Sequence, residues 1–414
     1  MTIPSILTMV ARAGLLFAIV GTISSTVFLA MALVASLQYR RKASQWKLRV
    51  DRQDFRSLPS ITILKPVHGS EHNLERNLES FFRQDYPRYE IIFGCRDAND
   101  PALEAVERLR AKYPDITARI VLSGNPIWPN AKVFSLSKMI AASRNDYFVI
   151  SDSDINVQPD FLKNVIVPLL DSDIGLVTCM YNGVPAPGFW SKLEALGMSV
   201  ELSSGVITAD MLEGMRFALG GVMAVRRDAL EKIGGIAATK DYYSDDFVLG
   251  NLVFEKAGLK VVLSHDTHIG HVLTAQTFLK TFRTQLRWMR STRYSRPWGH
   301  LGTGLTFSTP FGVLGLVCAA ALEMWPLGIA VFAWTYLNRV IQSLAIGWGV
   351  VGDRRALMGA LIYPLRDLLG FAVWVASYLG GSGFTWRGEA YRFTEGGRIV
   401  PTAREMDEVL LEHS

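Results

Sequence analysis

Charge is absent from 27 consecutive residues, Ala13 to Tyr39, between Arg12 and the basic run Arg40-Arg41-Lys42. About twenty apolar residues suffice to cross the hydrocarbon core of a bilayer, so this stretch can span even when tilted. A secretory leader has an apolar region of only about 7–15 residues, and a basic cluster directly after the segment suits a retained anchor better than a cleavage site. Cysteine is scarce: Cys95, Cys179 and Cys318 make neither a disulfide framework nor a zinc spacing, which fits a reducing compartment. There is no internal repeat and no low-complexity tract.

With 414 residues, 49% hydrophobic composition and a mean hydropathy of +0.20, the chain is too apolar for an ordinary soluble enzyme and too polar for an all-membrane bundle. A mixed architecture accounts for that average. The net charge is +5, and much of the basic excess flanks apolar segments: Arg40, Arg41, Lys42, Lys47 and Arg49 at one end, Arg290, Arg293 and Arg296 at the other. The positive-inside rule puts both clusters, and the domain between them, on the cytoplasmic side. Because those flanks absorb the excess, no nucleic-acid partner is expected. Four regions follow: an anchor over 10–39, a catalytic domain over 60–296 after a polar linker over 43–60, membrane segments over 301–382, and a polar tail over 383–414.

Within the central domain, short apolar runs alternate with helical patterns. Strands are expected at Ile61–Leu64, Tyr89–Cys95 and Tyr147–Ser151, and helices at Glu71–Gln84, Pro101–Tyr113 and Val133–Ser143. This implies an α/β domain with a mostly parallel sheet, whose ligands bind beyond the carboxyl ends of strands. In the C-terminal region Leu301–Leu322 is long enough to span, Met324–Val351 is interrupted by Arg339, and Ala356–Gly381 carries Arg366-Asp367, a pair expected to neutralise itself. Three full spans would leave the basic tail outside, so one of the later segments is expected to lie in-plane or re-enter.

Carboxylates stand where that sheet should bind ligands. Asp97 follows the strand ending at Cys95; Asp152 and Asp154 follow the strand ending at Ser151; Asp245-Asp246 open a helix. Two carboxylates on one turn can hold a hard divalent cation and leave positions for diphosphate oxygens, while a third can act as general base on an attacking hydroxyl. Singly each motif is weak, since Asp-Ser-Asp occurs in many turns and Asp245-Asp246 can simply cap a helix. Together, each at a strand–helix junction of one domain, they point to one site. Gln285-Leu-Arg-Trp288 lies on an amphipathic helix, Phe278–Arg290, where Trp288 can also serve as an interfacial anchor.

Asp97, Asp152/Asp154, Asp246 and Gln285-x-x-Arg287-Trp288 resemble the signature of membrane-bound family 2-type inverting glycosyltransferases. More narrowly the chain resembles the ceramide glucosyltransferase family (family 21) and the bacterial hopanoid-associated glycosyltransferases. Lys65-Pro-Val-His-Gly69, Phe81-Phe-Arg-Gln-Asp-Tyr-Pro87, Asp100-Pro101, Gly175-Leu-Val177, Thr385-Trp-Arg387 and Tyr391-Arg392 carry that likeness. It implies a GT-A domain using a UDP-sugar, with Mg²⁺ or Mn²⁺, and a ceramide or hopanoid acceptor at the bacterial inner membrane. In that light Lys65, Pro66 and Asp97 belong to the nucleotide, Asp152 and Asp154 to the UDP–metal unit, Asp246 is the base, and Gln285, Arg287 and Trp288 bind diphosphate and acceptor. The fuller Asp-x-Asp here is closer to the bacterial members than to animal ceramide enzymes.

His265, His268 and His271 follow a strand expected over Leu259–Leu263. They read as neutral turn residues, because zinc needs a fixed geometry that a spacing of three does not provide. His68 lies at the expected nucleotide mouth, although Pro66 and Gly69 alone explain its turn. Competing readings are a processive polysaccharide synthase, which usually needs a longer helix bundle; a nucleotidyl transferase, which would release pyrophosphate; and a non-catalytic membrane scaffold, which should have lost Asp154, Asp246 or Arg287.

Overall fold

The computed structural model describes residues 3–402 except 72, 275, 276 and 387. Arg387 of the tail motif and residues 403–414 of the expected tail therefore lie outside the described residues. The chain forms two compact units. One comprises residues 1–39, 185–208 and 275–381; the other comprises 40–184, 209–274 and 382–414.

The second unit is built on an eight-stranded mixed sheet. Its strands are β1 (Ile61–Pro66), β2 (Tyr89–Cys95), β3 (Thr117–Leu122), β4 (Tyr147–Ser151), β5 (Ile155–Asn156), β6 (Ile174–Val184), β7 (Val222–Arg226) and β8 (Lys260–Val272). They lie in the order β3-β2-β1-β4-β7-β6-β8-β5. Strands β3, β2, β1 and β4 run parallel, and β7 is antiparallel to both β4 and β6. The connected apolar runs explain this half-sheet: Ile61, Ile63, Leu64, Ile91, Ile92, Val149 and Ile150 are fully buried, as strands covered on both faces must be. Strand order reverses between β1 and β4, so their carboxyl ends open the crevice where such sheets take ligands.

Strands Tyr89–Cys95 and Tyr147–Ser151 have the expected limits, and β1 runs two residues further than expected, to Pro66. Two expectations need correction. The polar linker over 43–60 is helical through Asp51, because helix Ile3–Asp51 continues far beyond the uncharged stretch. Its last turns have work in this unit: Val50 is buried, Trp46 donates its indole N–H to the Asn164 carbonyl at 3.2 Å, and Arg49 grips Asp171 with two bonds of 2.6 Å. The three histidines lie not in a turn but on β8, which runs thirteen residues because it pairs with β6 across a register shift and with β5.

Past residue 381 the chain forms a second, antiparallel sheet of β9 (Gly383–Trp386), β10 (Glu389–Phe393) and β11 (Ile399–Pro401). It is bonded to the same unit, the Ile399 N–H donating to the Asp241 carbonyl at 2.8 Å.

In the first unit the expected span Leu301–Leu322 is broken. Helix Pro297–Thr303 ends before a turn, and Thr309–Ala321 is only thirteen residues, about 20 Å against a core of about 30 Å. Among the described residues two helices are long and apolar enough to cross a membrane, Ile6–Asp51 and Trp325–Trp348. Arg366 and Asp367 do not neutralise each other, since adjacent residues on a helix do not face one another. Arg366 meets Glu201 at 3.1 Å, and Asp367 meets Arg339 at 3.3 Å. Asp367 also accepts from the N–H groups of Ser308 and Thr309 at 3.0 and 2.7 Å, the free donors that begin helix Thr309–Ala321.

Replacing Asp367 by Ala leaves the buried Arg339 guanidinium bonded to Asn338 but without the Asp367 carboxylate, and uncaps that helix start. The expected loss is about 3–5 kcal/mol, read as a lower unfolding midpoint in detergent; an unchanged midpoint would show that Asp367 does not hold these helices together.

Candidate active site

The crevice at β1 and β4 is organised by a lysine with only 13% of its side chain exposed. Lys132 begins the helix Ala131–Ala142, which Asn130 caps by accepting from the Val133 N–H at 3.2 Å. Its ammonium lies 2.7 Å from Asp152 Oδ1 and 3.6 Å from Asp245 Oδ2. Burial would lower its pKa, but Asp152 and Asp245 outweigh burial and hold it above the ordinary lysine value. One cation thus ties the turn after β4 to the start of helix Asp245–Glu255. Asn130 adds a second tie, donating to the Tyr242 carbonyl at 2.9 Å and to Asp245 Oδ1 at 3.4 Å.

Asp246 closes against Gly220, whose neighbour Gly221 closes against Tyr181. A Cβ on Gly220 would come within 2.6 Å of Asp246 Oδ2, and one on Gly221 within 2.6 Å of the Tyr181 ring, so only glycine allows this approach. The Asp152 N–H donates to the Gly221 carbonyl at 3.3 Å, and the Gly221 N–H donates to the Tyr181 hydroxyl at 2.8 Å. Burial first, then the charges of Asp246, Asp152 and Asp154, drive the Tyr181 phenol far above its usual pKa. Asp152 and Asp154, on one turn, and Asp246, far along the chain, therefore converge. Burial and then the neighbouring Asp245 charge push the Asp246 carboxyl upward.

Asp154 stands beside β8: His271 Nε2 is 3.4 Å from its Oδ2, while its Oδ1 is buried and accepts no hydrogen bond. That orphaned oxygen, with Asp152 on the same turn, fits a hard divalent cation. Among the described residues no three His, Cys, Asp or Glu side chains are grouped to hold a metal ion. His265 faces Asp210 at 3.8 Å and the Trp46 ring, and burial lowers His268 to about 4, keeping it neutral.

Lys65, expected at the nucleotide, is instead fully buried. It donates to Ser151 Oγ at 3.2 Å and to the Asp152 carbonyl, and lies 3.8 Å above the Phe81 ring. Burial lowers its pKa to about 7 against the opposing carboxylates. It shapes the Asp152 turn from beneath. Pro66 lines a cavity of about 300 Å³ with His68, Arg96, Trp128, Lys132 and Trp386. Asp97 is exposed beside it, with Oδ1 accepting from the Asn99 N–H at 2.8 Å. Asp100 anchors the cavity's rim, accepting from the Gly69 and Ala102 N–H groups and pairing with His68 Nδ1 at 2.7 Å. Gln285, Arg287 and Trp288 belong to the first unit, on helix Phe278–Ser295, with Gln285 buried and Trp288 38% exposed.

Asn130, Lys132 and the loop Ser123–Pro129 were invisible to motif reading. The one available signal was the Asn-Ala-Lys start of a helix, common to many helices that do nothing chemical.

The sheet and its acidic cleft are those of an α/β enzyme of the glycosyltransferase class. The chain belongs to glycosyl transferase family 21, whose profile matches residues 26–399. It is similar to ceramide glucosyltransferase 1 of Caenorhabditis elegans, 23% identical over 83% of this chain and 73% of that protein. Ceramide glucosyltransferase 3 of the same organism is 23% identical over 93% of this chain and 83% of its own length. A mannosyltransferase from Pyrobaculum calidifontis, solved with GDP-Man and Mn²⁺, superposes with a TM-score of 0.46 at 17% identity, over 87% of this chain and 99% of that one.

Two substitutions should move stability in opposite directions. Lys132→Met strands Asp152 and Asp245 and should destabilise the fold by roughly 2–4 kcal/mol, seen in denaturant unfolding at pH 7.5. Asp246→Asn removes a carboxyl whose pKa is higher in the folded state than in the unfolded chain. Ionising that carboxyl opposes folding above its folded pKa and has no effect once the pH is below the ordinary carboxylate range. The variant should therefore gain on the order of 1 kcal/mol at pH 8 and nothing near about pH 4. A loss of stability at pH 8 would contradict the electrostatic account.

Proposed function

We propose that this protein moves a hexose from a UDP-sugar to a hydroxyl of a membrane lipid of the ceramide type, by one inverting displacement. The observation that carries this reading is the convergence of Asp152, Asp154 and Asp246 beside a cavity large enough for a nucleoside. Kinship to ceramide glucosyltransferases supports the lipid acceptor, and the long apolar helices suit an enzyme whose acceptor never leaves the bilayer.

Asp246 is the general base. The lipid oxygen attacks the anomeric carbon, its proton passes to an Asp246 carboxylate oxygen, and the bond to the diphosphate breaks to release UDP. An upward-shifted carboxyl accepts that proton more readily than an ordinary aspartate does near neutral pH. Asp152 and Asp154 would hold a divalent cation, Mg²⁺ or Mn²⁺, which would supply positive charge to offset that on the departing diphosphate. Lys132 keeps Asp152 and Asp245 in register with each other, and Pro66, Asp97 and His68 frame the nucleoside. Gln285, Arg287 and Trp288 are assigned to diphosphate and acceptor binding on their resemblance to the family signature alone. The basic flanks favour a cytoplasmic placement of this chemistry, at a bacterial inner membrane.

Purified protein incubated with a panel of UDP-sugars and with ceramide, hopanoid polyol and diacylglycerol should yield a glycolipid identifiable by mass, together with free UDP. Pyrophosphate without UDP, or polymer without glycolipid, would refute the proposal. Asp246→Asn should lower transfer by at least about 10²-fold with UDP binding retained. Asp154→Ala should weaken cation-dependent UDP binding, and an unaltered cation dependence would remove Asp154 from its role.

A further inference from the structure

We propose that the C-terminal sheet β9–β11 is part of the donor site, with Trp386 and Tyr391 forming the aromatic wall against which the nucleoside rests. This rests on the reading of the cavity beside Pro66 as the donor pocket. That cavity takes one side from the ends of β1 and β2, through Pro66, His68 and Arg96, and another from the returning chain, through Trp386, Tyr391 and Pro401. Without residues past 382 it would be an open groove. A flat base needs a flat apolar partner, and an indole or phenol ring provides one at small conformational cost.

The wall is held rigidly. Tyr243 lies at the centre of an aromatic cluster, its ring centroid 5.2 Å from Trp386, 5.4 Å from Phe384 and 5.5 Å from Phe393. Phe384 and Phe393 stack on one another at 4.2 Å. Backbone bonds lock the same segment: Ile399 N–H to the Asp241 carbonyl, Tyr243 N–H to the Gly397 carbonyl at 3.3 Å, and a bridge between Tyr242 and Arg398. Two residues beyond Tyr243 the chain reaches Asp245-Asp246. Asn130, which takes the Tyr242 carbonyl and Asp245 Oδ1, closes the loop back to Lys132 and the cavity floor. A ligand pressing on Trp386 thus presses on the segment that carries Asp246. The sheet both lines the pocket and positions the base.

The test uses the full chain in detergent or nanodiscs, with UDP and Mn²⁺ as probes. Titration calorimetry should show Trp386→Ala weakening UDP binding roughly 5- to 100-fold, while Trp386→Phe, which keeps an aromatic face, stays within about threefold of wild type. Hydrogen exchange on the unmodified protein should show UDP-dependent protection in residues 383–393 and 241–246, a readout that survives even if the alanine variant fails to fold. Wild-type binding of UDP with no protection in those segments, or with unchanged affinity in Trp386→Ala, would overturn the assignment of the sheet alone. Failure of the wild-type protein to bind UDP would overturn the donor reading and this proposal with it.

Discussion

One ammonium group holds together two carboxylates of a crowded set of four. Asp152, Asp154, Asp245 and Asp246 occupy a space in which their mutual repulsion opposes folding, and Lys132 lies between two of them. Removing charges from water costs several kcal/mol per ion, so such a knot is stable only when geometry and hydrogen bonds compensate. The compensation is spread over Asn130, the Gly220–Gly221 approach and the Tyr181 hydroxyl. Together they hold the Asp246 carboxyl in a poorly solvated position beside Asp245, which raises its pKa.

Strands β1, β2 and β4 were legible because they are short apolar runs bounded by turn residues, and burial on both faces leaves no other use for such sequences, whereas the edge strand β3, largely exposed, carried no such run and was not expected. Asp152, Asp154 and Asp246 were legible for a related reason, since acidic residues at strand ends have few structural excuses in concert. Lys65 was placed at the nucleotide on resemblance alone, whereas its depth below the Asp152 turn is a property of the packed sheet. Lys132 escaped notice for the opposite reason: a lysine in the first turn of a helix is ordinary in sequence and acquires meaning only from carboxylates twenty and more residues away. The continuation of the first helix to Asp51 was hidden by its polarity, because Trp46, Val50 and Arg49 find partners that no local pattern announces.

The first unit uses its charges differently. Arg339, Asp367, Arg366 and Glu201 pair across helices and leave little net charge in an apolar setting, as membrane-embedded ions generally do. Asp367 does double duty by capping the short helix Thr309–Ala321, which otherwise begins with bare N–H groups.

The bond between Ile399 and Asp241 also counts crossings. Strand β11 lies hydrogen-bonded to a segment that precedes residue 275, so both ends of the intervening stretch share one aqueous compartment. Whatever bilayer that stretch enters, it must leave by the face it came in through. Trp325–Trp348, which among the described residues of that stretch is long and apolar enough to cross, therefore needs a return path if it does, and the shorter apolar helix Thr309–Ala321 is placed to contribute to one.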